Sequence, residues 1–178
     1  MNIHCSLAKQ AVEKYIQSNK VLGVFKKLPA TLLTQKAGVF VTIYKNDRLR
    51  GCIGTLFATE ENLAKEIIDN AIKAATKDPR FPVIKKNELP KLSYEVSILG
   101  SFEQIESVND LDPKTYGVYI KSDEDSKRSA LLLPDLPGLV SSIKQLMACL
   151  DKASIDGEKE RFTLFRFETK KFKQYVHL

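Results

Sequence analysis

The spacing of apolar residues changes along the chain, and each change predicts an element. In 6–19, Leu7, Ala8, Ala11, Val12, Tyr15 and Ile16 recur at helical intervals, with Ser6 as a capping residue, which predicts an amphipathic helix. Residues 20–37, interrupted by Gly23 and Pro29, read as a surface loop. Residues 38–44 (GVFVTIY) are β-branched and aromatic and predict a strand; Lys45-Asn46-Asp47 is a turn, and 48–54 (RLRGCIG) returns as the second strand of a hairpin. Thr59 then caps a helix over 60–76, with Glu60 and Glu61 at its positive end and Leu63, Ile67, Ile68, Ala71, Ile72 and Ala75 as the buried stripe. Asp78-Pro79 ends it.

Residues 92–99 alternate, with Leu92, Tyr94, Val96 and Ile98 on one face and Ser93, Glu95 and Ser97 on the other. Two shorter strands, 117–121 and 129–133, flank the charged loop 122–128; a helix over 139–152 and a strand over 161–168 follow. No βαβ unit repeats, so the order predicts an α+β fold, a mainly antiparallel sheet flanked by helices. The length of 178 residues fits a single domain over 1–178, with 107–137 as a small lobe.

Composition narrows the class. With 43% hydrophobic and 28% charged residues, the chain reads as globular. No apolar run approaches the roughly 18–20 residues that cross a bilayer, and the first residues lack a signal-peptide pattern, so the expected location is cytoplasmic and not membrane-bound. Cys5, Cys52 and Cys149 are too few and too scattered for a disulfide framework or a zinc site. The net charge of +6 comes from dispersed lysines, which fits solubility better than a nucleic-acid footprint.

The candidate chemistry lies in the second hairpin strand. Regular alternation places Arg48, Arg50 and Cys52 on one face, two guanidinium groups beside a thiol. Gly51 and Gly54 add no bulk, so a ligand or another backbone approaches closely. That combination suits a reactive cysteine or a pocket for an anionic group, and equally a small buried cysteine beside solvated arginines. Nucleophilic catalysis needs a base near the thiol, and the two histidines, His4 and His177, stand at opposite ends of the chain. No His/Cys/Asp/Glu spacing matches a metal site, and no motif implies a cofactor. Glu95 is a candidate general acid or base, or an ion-pair partner for Arg50 or Arg80. Asp78-Pro79-Arg80-Phe81-Pro82 reads as a helix stop with Phe81 packed.

Taken together, Gly38-Val39-Phe40-Val41-Thr42, Leu49-Arg50-Gly51-Cys52-Ile53-Gly54, Asp78-Pro79-Arg80-Phe81-Pro82, Glu88-Leu89, Glu95-Val96-Ser97-Ile98-Leu99, Leu131-Leu132-Leu133-Pro134 and Phe165-Arg166-Phe167 resemble the AMMECR domain family. The resemblance implies a larger antiparallel-sheet domain with a smaller subdomain, and a functional site at Leu49 to Gly54. Prokaryotic members carry the name AmmeMemoRadiSam system protein A, which implies a Memo-like protein and a radical SAM protein as partners. Members often have His-Gly where this chain has Tyr116-Gly117, and Leu-Leu-Pro-Gln where it has Leu132-Leu133-Pro134-Asp135. Three functions follow as expectations. The first is a binding or accessory factor whose Arg50–Cys52 cleft takes a small anionic ligand or a partner's peptide, with Arg48, Arg50, Gly51, Gly54 and Arg80 as the ligand-binding residues. The second is an enzyme with Cys52 as thiolate nucleophile and Glu95 as proton acceptor. The third is a nucleic-acid-binding domain.

Overall fold

The computed structural model describes residues 2–25 and 27–174. Its helices are α1 (Ile3–Ser18), α2 (Ala30–Thr34), α3 (Leu63–Thr76) and α4 (Ser142–Ala153). Its strands are β1 (Val39–Lys45), β2 (Arg48–Gly54), β3 (Leu92–Leu99), β4 (Glu103–Ile105), β5 (Gly117–Ser122), β6 (Ser129–Leu132), β7 (Phe162–Phe167) and β8 (Thr169–Lys173). The chain divides into two compact units, one running through Ile98 and resuming at Lys170, the other Leu99–Thr169. The second unit contains the segment 107–137. The architecture is α+β, with two largely antiparallel sheets.

In the first unit the strand order is β2-β1-β3-β8. Val39, Val41 and Ile43 of β1 stand opposite Ile98, Val96 and Tyr94 of β3, and all six are buried on the face that meets α1 and α3. Leu7, Ala11 and Val12 of α1 and Ile67, Ile68 and Ala71 of α3 complete this core. Burying each large aliphatic side chain contributes roughly 1.5–3 kcal/mol. Because strand side chains alternate, the other face carries Phe40, Thr42 and Tyr44 from β1 and Ser93, Glu95 and Ser97 from β3.

In the second unit the order is β4-β7-β5-β6. Cys149 and Ala153 of α4 pack on Val118 and Ile120 of β5, Ala130 of β6 and Leu164 of β7.

The element ends depart from the pattern-based reading for local reasons. Asn2, not Ser6, caps α1, its side chain accepting from the amide of His4. Asn62, not Thr59, caps α3, accepting from the amide of Lys65. Ser141 caps α4, which therefore starts three residues later than expected. The expected loop 20–37 contains α2, and the short edge strand β4 and the lysine-rich β8 were not expected at all. Edge strands need only one partner and carry little alternation. No helix among the described residues is long and apolar enough to cross a membrane.

Candidate functional site

The β1–β2 hairpin turns through Asn46 and Asp47, both left-handed (φ 49° and 59°), the geometry of a two-residue turn that matches strand twist. Lys45 pairs with Arg48 and Tyr44 with Leu49, but Ile43 pairs with Gly51. Arg50 is therefore an extra residue, a β-bulge. The bulge resets the alternation and corrects the expectation that Arg48, Arg50 and Cys52 share a face. Cys52 stands opposite Thr42, on the face away from the core, and Leu49 shares that face. Arg48 stands opposite Lys45, on the other face.

Arg50 is held by Glu88. Its Nε and Nη2 donate to the two carboxylate oxygens, each at 3.0 Å, and Lys45 Nζ donates to the same carboxylate at 2.8 Å. The Arg50 and Lys45 bonds and the Lys85 amide hold Glu88 well below the usual carboxylate range, at about 2. A groove of about 450 Å³ opens at this end of the hairpin, lined by Lys45, Asn46, Arg48, Leu49 and Arg50. Arg48 is exposed there and forms no ion pair among the described residues.

The two glycines serve packing. A Cβ on Gly51 would lie 2.2 Å from the carbonyl oxygen of Ala74, so only glycine lets β2 lie against α3. A Cβ on Gly54 would lie 2.3 Å from the Phe40 ring. At both, the close approach is made by this chain itself.

Cys52 is fixed through its backbone. Its amide donates to Asp78 Oδ2 at 2.8 Å, and Asp78 also accepts from the amide, Nε and Nη2 of Arg80. Arg80 chiefly, with the Cys52 amide, holds Asp78 at about 2. The DPRF segment is thus more than a helix stop, because it ties the end of α3 to β2 at the cysteine. The thiol lies 3.2 Å from the Thr42 hydroxyl. Burial pushes its pKa up; the Thr42 hydroxyl and Arg80 pull it down, and Asp78 and Glu95 push it up again, leaving it raised. Cys52 is therefore a protonated thiol at neutral pH.

Glu95 stands opposite Thr42 on β3, so Cys52, Thr42 and Glu95 form one row across three strands. It is 8% exposed and makes no ion pair with Arg50 or Arg80, contrary to the expectation from sequence. Two strand spacings, about 9–10 Å, separate its backbone from that of Cys52. Beside the row, Lys173 of β8 lies 5.2 Å from the centroid of the Tyr44 ring. His4 stacks on Phe172, away from this row's face, and His177 lies outside the described residues. No group of three His, Cys, Asp or Glu side chains suited to a metal occurs among the described residues.

Sequence reasoning missed Thr42, Asp78 and Glu88 as partners of the hairpin, and also Glu66. Glu66 is fully buried on α3, and its carboxylate accepts from the Thr55 hydroxyl (2.6 Å), the amides of Thr59 and Glu60 (2.8 Å each) and Asn70 Nδ2 (3.3 Å). Burial pushes its pKa up, but these bonds outweigh it and leave it lowered. The loop after β2 is therefore pinned by one carboxylate. An acidic residue within an otherwise apolar helix stripe was the available signal.

The sequence profile of the AMMECR1 family matches residues 5–172. A protein of Thermotoga maritima is 40% identical over 167 residues, covering 93% of this chain and 94% of that protein. A protein of Clostridium acetobutylicum is 34% identical over 175 residues, covering 96% of this chain but 36% of that longer protein. The crystal structure of an uncharacterized protein from Pyrococcus horikoshii superposes with a TM-score of 0.84 at 29% identity, covering 96% of this chain and 89% of that one.

Proposed function

This chain belongs to the AMMECR1 family, and on that footing we propose that it is a binding or accessory protein that uses its β1–β2 hairpin to hold an anionic group. The observation that carries this is the groove at the end of the hairpin. Lys45, Arg48 and Arg50 line it; Glu88 pairs with Lys45 and Arg50, and Arg48, beside Asp47 of the turn, is in no ion pair among the described residues. Glu88 fixes Lys45 and Arg50 in place, and the exposed Arg48 is left to meet the ligand, a phosphate or carboxylate on a small molecule or on a partner's peptide. Such a role fits association with a Memo-like protein and a radical SAM protein, the partners that the family resemblance implies.

A thiolate enzyme is supported less well. The expected activating arginine, Arg50, is bound to Glu88, the thiol stays protonated, and no base among the described residues hydrogen-bonds it. A nucleic-acid-binding role has only the dispersed net charge behind it.

The test is a titration with inorganic pyrophosphate, followed by backbone amide shifts. Residues 45–50 should shift and saturate, the affinity should fall with added salt, and Arg48→Ala should weaken it about tenfold while leaving the unfolding midpoint in place. Equal affinity for Arg48→Ala and the native protein would remove the proposal.

A further inference from the structure

Large apolar side chains stand together in water on the outer face of α4. On its inner side Gln145, Cys149 and Ala153 recur at every fourth position and are buried, the last two against the sheet of the second unit. A surface helix normally carries polar residues opposite such a stripe. Here Ile143 and Met147 stand there, 61% and 59% exposed, and Val140, just ahead of the Ser141 cap, is 79% exposed. One apolar side chain in water is ordinary, but a group of neighbours marks a surface that another molecule covers.

The charges beside that surface say what covers it. Lys144 and Asp151 flank Met147 on the same helix face, one a turn before it and the other a turn after. They are two turns apart, about 10.5 Å along the axis, too far to bridge each other. Both are exposed, and neither side chain forms an ion pair or hydrogen bond among the described residues. One positive and one negative charge, evenly spaced about an apolar centre, complement themselves when the face meets a copy of itself turned end for end. With two α4 helices antiparallel and crossing beside Met147, Lys144 of each copy reaches the level of Asp151 of the other, so a single twofold axis produces two ion pairs. Ala148, beside the crossing, is small and lets the two backbones approach. A membrane surface fits less well, because an interfacial helix carries an excess of lysine and arginine beside its apolar face, and on this face one lysine is matched by one aspartate.

We infer that the outer face of α4 is the contact between two copies of this chain, an antiparallel twofold pair centred on Met147 with Lys144 and Asp151 bridging at each end. The helix has 12 residues and is about 18 Å long, so it supplies less than a standard interface and the dimer is weak and reversible. The face belongs to the second unit and shares no residue with the hairpin groove.

The experiment is sedimentation equilibrium of the full chain from micromolar to millimolar concentration. A monomer–dimer equilibrium is expected, with the amides of residues 143–151 shifting as concentration rises. Met147→Lys should leave a monomer throughout while keeping the thermal midpoint measured at micromolar concentration, which shows that the variant folds. Lys144→Asp alone, or Asp151→Lys alone, sets like charges against each other at both ends and should weaken the dimer about tenfold. Combining the two reversals restores opposite charges at both ends and should return the native dissociation constant. A monomer at millimolar concentration, a dimer indifferent to Met147→Lys, or a doubly reversed variant no tighter than the single ones would each overturn the inference. Binding of a native monomer to phosphatidylglycerol vesicles through Ile143 and Met147 would assign the face to a membrane and overturn it as well.

Discussion

Replacing Asp78 by alanine should loosen β2 at the cysteine. The Asp78 side chain is 2% exposed and accepts four hydrogen bonds, one from the Cys52 amide and three from Arg80. A net bond from a backbone amide to a carboxylate is worth about 1.5–3 kcal/mol. Arg80 is 56% exposed and rehydrates when its partner is lost, so its ion pair adds at most about 1 kcal/mol. The expected loss for Asp78→Ala is therefore about 2–4 kcal/mol, and about half that for Asp78→Asn, which keeps one acceptor for the Cys52 amide. The pH dependence has a definite sign. The carboxyl titrates at about 2 in the folded chain, below its unfolded value of about 3.9. Its stabilisation is thus complete above the unfolded value and is lost as pH falls through the folded value. The difference between native protein and Asp78→Asn should be constant from pH 7 to about 5 and shrink towards pH 2. Urea unfolding followed by circular dichroism gives the energies, and hydrogen exchange at the Cys52 amide reports the bond itself. A variant within about 0.5 kcal/mol of native, with that amide equally protected, would show that Asp78 does not hold the strand.

Two further outcomes follow from the same geometry. Gly51→Ala should destabilise by about 3 kcal/mol or more, since its Cβ would meet the Ala74 carbonyl oxygen at 2.2 Å, whereas Gly23→Ala, with nothing within 4 Å, should be near neutral; calorimetric midpoints decide this. Iodoacetamide should label only Cys52 in the folded chain, with an apparent pKa above that of a free thiol, because Cys5 and Cys149 are fully buried and burial pushes them to about 11 and about 12. Mass mapping of labelled peptides across pH would expose an error if Cys52 reacts at pH 6 as fast as at pH 9.

What the sequence determined by itself is what local periodicity encodes. The stripe of Leu63, Ile67, Ile68 and Ala71 specified α3, the alternation of Leu92 to Leu99 specified β3 and both its faces, and GVFVTIY followed by Lys45-Asn46-Asp47 specified the hairpin, because side-chain direction in a helix or strand depends on neighbours a few positions away. The strings LRGCIG, DPRF and EVS were enough to point to the family. Tertiary structure alone decided how those strings meet. The bulge at Arg50 turned Arg48 and Arg50 away from the thiol; the glycines of RLRGCIG are the mark a bulge leaves in sequence, but its position was decided where Gly51 must fit beneath α3 while the turn fixes the pairing of Lys45 with Arg48. The partners of the motif, Asp78 and Glu88, lie 26 and 38 residues away along the chain, and charge pairing over such separations depends on which strands and turns the topology brings side by side. For the same reason the sequence offered Arg50 and Arg80 as ion-pair partners of Glu95, and only the packed fold placed those two guanidinium groups on Glu88 and Asp78 instead.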